Sequence, residues 1–283
     1  MLFRHVSIVG VGLIGGSFAL AAKRYGIAER ITGIDSAPVL EEACARGVVD
    51  GPETSFDSRK VCDADLVYLA APVGGILGFL RARGKSIKPG AIVTDSGSTK
   101  REIFRIAREA LPTEVLFVGG HPMAGSHHSG IGYANADLFR NAPYALVIDE
   151  SRAGSTEALR KIEKAVSSIG AVPVHVTADV HDRAVARMSH MPQLISTALA
   201  CAVARRPDQA DLRLAGTGFS EMVRLAGSRW SVWEDICRTN ADEICLALDD
   251  VIDEIVAMRS SISSGDFEGL GAAFESANEL VKT

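Results

Sequence analysis

Apolar runs of strand length recur through the first 177 residues: VSIVG, ITGID, LVYLAAP, AIVTD, VLFVG, YALVID and AVPVHV. Stretches of helical character separate most of them, among them SFALAAKRYG, APVLEEACARG, TKREIFRIAREAL and STEALRKIEKAVSSIG. Continuous apolar strands alternating with helices predict a mostly parallel sheet covered on both faces, so residues 1–177 read as a doubly wound α/β domain.

The strand runs stop after Thr177. In ICRTNADEICLALDDVIDEIVAMRSSI, Ile244, Leu248, Val251, Ile252 and Ile255 recur at helical spacing while Asp242, Asp249, Asp250 and Asp253 fall on other faces. Residues 178–283 therefore read as an all-helical domain. Its apolar stripes are generous for its size, which leaves two outlets for them: the first domain, or a second copy of the chain.

Composition narrows the function classes. At 283 residues, 47% hydrophobic and 23% charged, the chain has the make-up of a globular protein with a sizeable core. A net charge of −5 gives no general field for nucleic acid or an anionic membrane, so an anionic ligand must be caught by local cations. The longest uncharged run, LVYLAAPVGGILGFL, is too short to span a bilayer and is broken by Pro72, Gly74 and Gly75. The first strand starts within a few residues of Met1, leaving no room for a signal peptide, so a cytoplasmic location is expected. Cys44, Cys62, Cys201, Cys237 and Cys245 are odd in number and lack a CxxC pair, which points away from a disulfide framework and a thiolate metal site.

The glycines of GVGLIG, Gly10, Gly12 and Gly15, end the first strand and open a helix, and Asp35 ends the second strand. That context reads as a dinucleotide cradle: Gly10 makes the turn, Gly12 lets the backbone approach a pyrophosphate, and Gly15 allows close helix–strand packing. The pyrophosphate would sit on free N–H groups at the helix N-terminus. Asp35 can accept both ribose hydroxyls and repel a 2′-phosphate, favouring NAD over NADP, while the neighbouring Ser36 leaves NADP possible. The blander reading of Asp35 is a solvated strand-end residue.

Three further segments carry candidate chemistry. In TDSGSTKREIF, Thr99 followed by Glu102 forms a capping-box pattern, so Thr99 is the expected helix cap and Ser98 is spare. In GGHPMAGSHHSG, His121 lies at the carboxyl end of a central strand, where a neutral imidazole can accept an alcohol proton while a nicotinamide takes the hydride. A structural role for His121 at the Pro122 turn competes. A metal held by His121, His127 and His128 is disfavoured, since the trio lacks helical spacing and a nearby carboxylate or thiolate. In GFSEMVRLAGSRWSVWEDI, Arg224 can hold a carboxylate and Trp233 can wall a ring, or both can simply pack domains.

Taken together, GVGLIGGS, DADLVYLAAPV, TDSGSTK, GGHPMAGS, the HD and SHMP of residues 181–192 and the RLA…W segment resemble the prephenate and arogenate dehydrogenases of tyrosine biosynthesis. The resemblance runs over nearly the whole chain. It implies a Rossmann-type domain, NAD(P)-dependent oxidative decarboxylation of a small-molecule cyclohexadienol, and a helical C-terminal domain that dimerises. It further implies that His121 is the base, that Ser98 hydrogen-bonds the reacting hydroxyl and His121, and that Arg224 anchors the ring carboxylate. His190, Trp233, Ser126, His127 and Gln193 fall in substrate-contact positions, and Gly10, Gly12, Leu13, Ile14, Gly15, Asp35, Ser36, Ala71, Pro72 and Val73 in cofactor-contact positions.

The chain departs from the common pattern in three places: Gln193 stands where many relatives have a second His, Arg229-Trp230 replaces a frequent Asp-Pro, and His127 takes the place of an acid. An acid there would suit the ammonium of arogenate, so His127 favours prephenate. Two other readings stand beside this one. A 3-hydroxyacid dehydrogenase of similar architecture would need a catalytic lysine in the helical domain, where Lys282 is the only lysine. An NAD-binding redox sensor without turnover would have no use for His121.

Overall fold

The computed structural model describes residues 1–55, 59–125, 128–148, 154–205 and 213–282. Its sheet has eight strands: β1 (Phe3–Val9), β2 (Ala28–Ile34), β3 (Gly51–Glu53), β4 (Leu66–Leu69), β5 (Ile92–Asp95), β6 (Leu116–Pro122), β7 (Pro143–Ile148) and β8 (Val172–His175). Their spatial order is β3-β2-β1-β4-β5-β6-β7-β8, parallel throughout except that β7 runs antiparallel to β6. The seven apolar runs all became strands. The eighth, β3, reads GPE and carries no apolar run; its Pro52 fits a three-residue strand at the sheet edge, where one missing donor costs little.

Both faces of the sheet are covered, which is why the central strands are continuously apolar. Along β1, Val6 and Ile8 join a core with Phe18, Leu40, Tyr68 and Ile162, served by α1 (Leu13–Arg24), α2 (Ala37–Ala45) and α6 (Ser155–Ser168). Val9 points the other way, into a core with Leu69 of β4, Val93 of β5, Val61 of α3 (Arg59–Cys62), Ile76 and Leu80 of α4 (Val73–Arg83) and Ile103 of α5 (Arg101–Ala110). The reversal from β3-β2-β1 to β4-β5-β6 opens a crevice at the carboxyl ends of β1 and β4, the ligand position of open α/β sheets.

The chain forms two compact units. One comprises Met1–Val185 with Gly227–Thr239, and so holds the sheet, α7 (Ala178–Val185) and the helix Trp230–Thr239. The other comprises Ala186–Ala226 with Asn240–Thr283. Its described residues include a π-helical turn at Ala186–His190, α8 (Met191–Ala204) and the helices Thr217–Val223, Ala241–Ser264 and Phe267–Val281. In Ala241–Ser264 the apolar stripe divides: Ile244 and Ala247 are buried, whereas Ile252, Ile255 and Ile262 are each more than half exposed.

Candidate active site

The glycine loop follows β1. Gly10 has a φ of +91°, and a Cβ there would lie 2.7 Å from the Ala70 carbonyl oxygen, so the turn requires glycine. A Cβ on Gly12 would meet nothing within 4 Å, and a Cβ on Gly15 would collide with the Gly10 carbonyl. Among the described residues no side chain caps α1, and no acidic residue lies in its first turn. Donor N–H groups at a helix N-terminus, beside open space kept by Gly12, are what a pyrophosphate needs. Asp35 follows β2 directly; its Oδ2 accepts the Val11 amide at 2.8 Å and its Oδ1 the Ser36 amide at 2.7 Å. Asp35 therefore ties the end of β2 to the loop, and the residues present fit a dinucleotide.

Two neighbouring helices contrast with α1. At α4, which begins at Val73 after Ala71 and Pro72, the Gly74 amide donates to Asp235 at 2.7 Å. At α5 the amides of Lys100 and Arg101 donate to the two carboxylate oxygens of Asp182 at 2.7 and 2.9 Å. The Thr99 cap expected from the capping-box pattern does not form. Thr99 bonds the Thr239 hydroxyl at 2.8 Å, the helix starts one residue further on, and a charged acceptor from α7 takes the end of α5. Glu102 instead pairs with Arg105.

His121 stands at the carboxyl end of β6, on the same sheet edge as the glycine loop. Its Nδ1 lies 2.9 Å from His181 Nε2, and His181 Nδ1 lies 2.8 Å from Asp182 Oδ1. Burial pulls the His181 pKa below the ordinary histidine value, against the opposing pull of Asp182. Burial alone would raise the Asp182 pKa, but its bonds from His181 and from the Arg101 and Lys100 amides outweigh that and hold the carboxyl low. Beneath this chain lies a fully buried ion pair, Asp95–Lys100, whose aspartate also accepts the amides of Gly97 and Gly120. Ser98 is half-buried in the loop after β5 and makes no side-chain hydrogen bond among the described residues; the expected bond to His121 does not form, and His121 Nδ1 is instead paired with His181.

The remaining candidates divide between the units. Trp233 is half-buried on the helix Trp230–Thr239 of the first. In the second, Arg224 opens the 3-10 turn Arg224–Gly227; it is exposed, and its guanidinium makes no ion pair among the described residues. His190 is buried, with Nδ1 3.4 Å from Asn240 Nδ2. Gln193 is buried as well, and its amide donates to the Leu225 carbonyl at 2.7 Å. Ser126 and His127 lie outside the described residues. Among the described residues no cluster of His, Cys, Asp or Glu could hold a metal, and no helix is long and apolar enough to cross a membrane.

Residues 18–176 match the family model described as prephenate dehydrogenase, nucleotide-binding domain, and residues 177–276 match that of its dimerization domain. The chain belongs to the prephenate dehydrogenase family. It is accordingly an NAD-dependent oxidoreductase. The prephenate dehydrogenase of Bacillus subtilis is 34% identical over 278 residues, 97% of this chain and 74% of that protein. The structure of A. aeolicus prephenate dehydrogenase with hydroxyphenyl propionate and NAD+ superposes with a TM-score of 0.90 at 27% identity, covering 97% of this chain and 96% of that one. Synechocystis arogenate dehydrogenase gives a TM-score of 0.83 at 29% identity, with 98% of each chain covered.

Within this prephenate dehydrogenase fold, sequence reasoning missed Asp95, Lys100, His181, Asp182 and Asp235 as parts of the site's frame. A signal existed for four of them. Asp95 and Lys100 bracket TDSGSTK, and His181-Asp182 is the HD pair, but only folding shows that these segments meet.

Proposed function

We propose that the chain oxidises and decarboxylates prephenate to 4-hydroxyphenylpyruvate with NAD as hydride acceptor, in the cytoplasm, as a step of tyrosine biosynthesis. The observation that carries this reading is the imidazole of His121 on the sheet edge that also bears the Gly10–Gly15 loop. Bound NAD would supply the acceptor for the hydride that leaves the carbon bearing the substrate hydroxyl. His121 takes the hydroxyl proton, and Ser98 donates a hydrogen bond to the same oxygen. The resulting ketone is conjugated toward the ring carboxylate, so carbon dioxide leaves with the electrons of its bond and the ring becomes aromatic.

Arg224 binds the ring carboxylate and Trp233 walls the ring. An arginine on the departing carboxylate also stabilises the ground state, so its contribution is positioning, with aromatisation supplying the drive. His190, Ser126 and His127 belong to the substrate side. The amides of Leu13 and Ile14 hold the pyrophosphate, Asp35 with Ser36 holds the ribose, and Ala71, Pro72 and Val73 line the cofactor site. The negative charge of Asp35 favours NAD over NADP, and the absence of an acid at position 127 favours prephenate over arogenate.

Residues 178–283 serve as the substrate-binding and dimerisation domain. The exposed Ile252, Ile255 and Ile262 of one helix would be covered in a homodimer. Formation of reduced nicotinamide from prephenate by the purified protein tests the reading.

A further inference from the structure

The chain of bonds behind His121 has a definite polarity. An ionised Asp182 can only accept, and its Oδ1 lies 2.8 Å from His181 Nδ1, so that nitrogen carries the proton of the bond. A neutral His181 then has its lone pair on Nε2. Because that atom lies 2.9 Å from His121 Nδ1, His121 must donate from Nδ1, and a neutral His121 is left with its lone pair on Nε2.

We propose that His181 and Asp182 are positioning residues that hold His121 in its Nδ1–H tautomer, making Nε2 the atom that accepts the substrate's hydroxyl proton. The proposal rests on the reading of His121 as the base and adds which nitrogen acts and what fixes it.

The surroundings support each link. Asp182 is fully buried, and its oxygens also receive the Lys100 and Arg101 amides and, at 3.3 Å, Arg101 Nε, so its position is set from three directions. His181 is 3% exposed. A protonated His181 would donate from both nitrogens and force the opposite tautomer on His121. Burial and the Lys100 charge oppose that protonation, while Asp182 and Asp95 favour it, and the balance lies on the neutral side. As His121 gains a proton on Nε2, its Nδ1–H···Nε2 bond to His181 strengthens and spreads the new charge toward Asp182, with no proton leaving Nδ1.

The experiment uses full-length protein carrying ¹⁵N-labelled histidine. Long-range ¹H–¹⁵N spectra, with His121 assigned by comparison with His121→Asn, report which nitrogen is protonated. The expected wild-type form is Nδ1–H. His181→Leu should abolish that preference and lower kcat about 100-fold, within the range of a general base, while leaving NAD affinity unchanged. His181→Gln, whose carbonyl oxygen can accept from Nδ1–H, should recover kcat to within about tenfold of wild type and restore the Nδ1–H signature.

A wild-type spectrum showing Nε2–H overturns the proposal, and so does a folded His181→Leu protein with wild-type kcat. If His181→Leu does not fold, the wild-type and His181→Gln spectra still decide. A wild-type protein inactive on both prephenate and arogenate would sink the functional reading instead, with the spectrum still deciding the tautomer.

Discussion

Asp95 accepts the Gly120 amide at 3.0 Å, one residue before His121, while its other oxygen binds the ammonium of Lys100. The candidate base is thus anchored to a buried ion pair, with both side chains wholly shielded from solvent.

Removing one member of such a pair leaves an uncompensated charge in the interior. Lys100→Met should therefore lower unfolding stability by about 3–5 kcal/mol, measured in urea. Burial pulls the lysine's pKa down, and Asp95 opposes that pull. The double variant Asp95→Asn/Lys100→Met should lose less than the sum of its single changes. Additive losses would mean that the two groups are not coupled.

Acid should destabilise the protein in two stages. The folded state holds the His181 pKa below the ordinary value, mainly by burial, so on acidification the unfolded chain takes up that proton first. Stability then falls as pH drops from about 6.5, and half-buried His5, also shifted down chiefly by burial, acts with the same sign. Asp182, held low in the folded state, adds a second loss below about pH 4. Each group contributes at most about 1.4 kcal/mol per pH unit. Urea midpoints between pH 7.5 and 5 should fall for the wild type and flatten for His181→Gln; parallel curves would show that His181 titrates normally.

These two cases show what was legible in the sequence. The strand-end positions of Gly10, Gly12, Gly15, Asp35 and His121 were readable because each follows from the local run of residues. The cap of α5 was not, since the Thr99–Glu102 pattern gives no sign that Asp182, 82 residues beyond Lys100 along the chain, supplies a charged acceptor. Nothing local in TDSGSTK marks Lys100 for burial, yet it is fully buried. β3 escaped because three residues held by edge pairing need no apolar signature.

Asp35 should govern the choice of cofactor. Asp35→Asn keeps an acceptor for the Val11 amide but removes the charge that a 2′-phosphate would meet. The KM for NAD should rise about 10- to 100-fold, the loss of one charge-assisted bond, while the NADP/NAD ratio of kcat/KM rises at least about tenfold. An unchanged ratio would remove Asp35 from cofactor selection.

Gln193 should act through the turn that carries Arg224. Its amide holds the Leu225 carbonyl at 2.7 Å, and Ser196, one helical turn on, accepts the Ala226 amide at 3.1 Å. Arg224→Lys should raise the KM for prephenate about 10- to 100-fold by losing bidentate geometry. Gln193→Leu should raise it in the same direction by a smaller factor, with KM for NAD unchanged. A Gln193→Leu effect confined to kcat would contradict this positioning role.

The most direct measurement is reduced-nicotinamide formation by the purified protein with prephenate and with arogenate, each offered NAD and NADP. Turnover fastest with prephenate and NAD, with release of 4-hydroxyphenylpyruvate and carbon dioxide, is the expected result. Failure of every pair to reduce the cofactor, in a protein that still binds NAD, would contradict it.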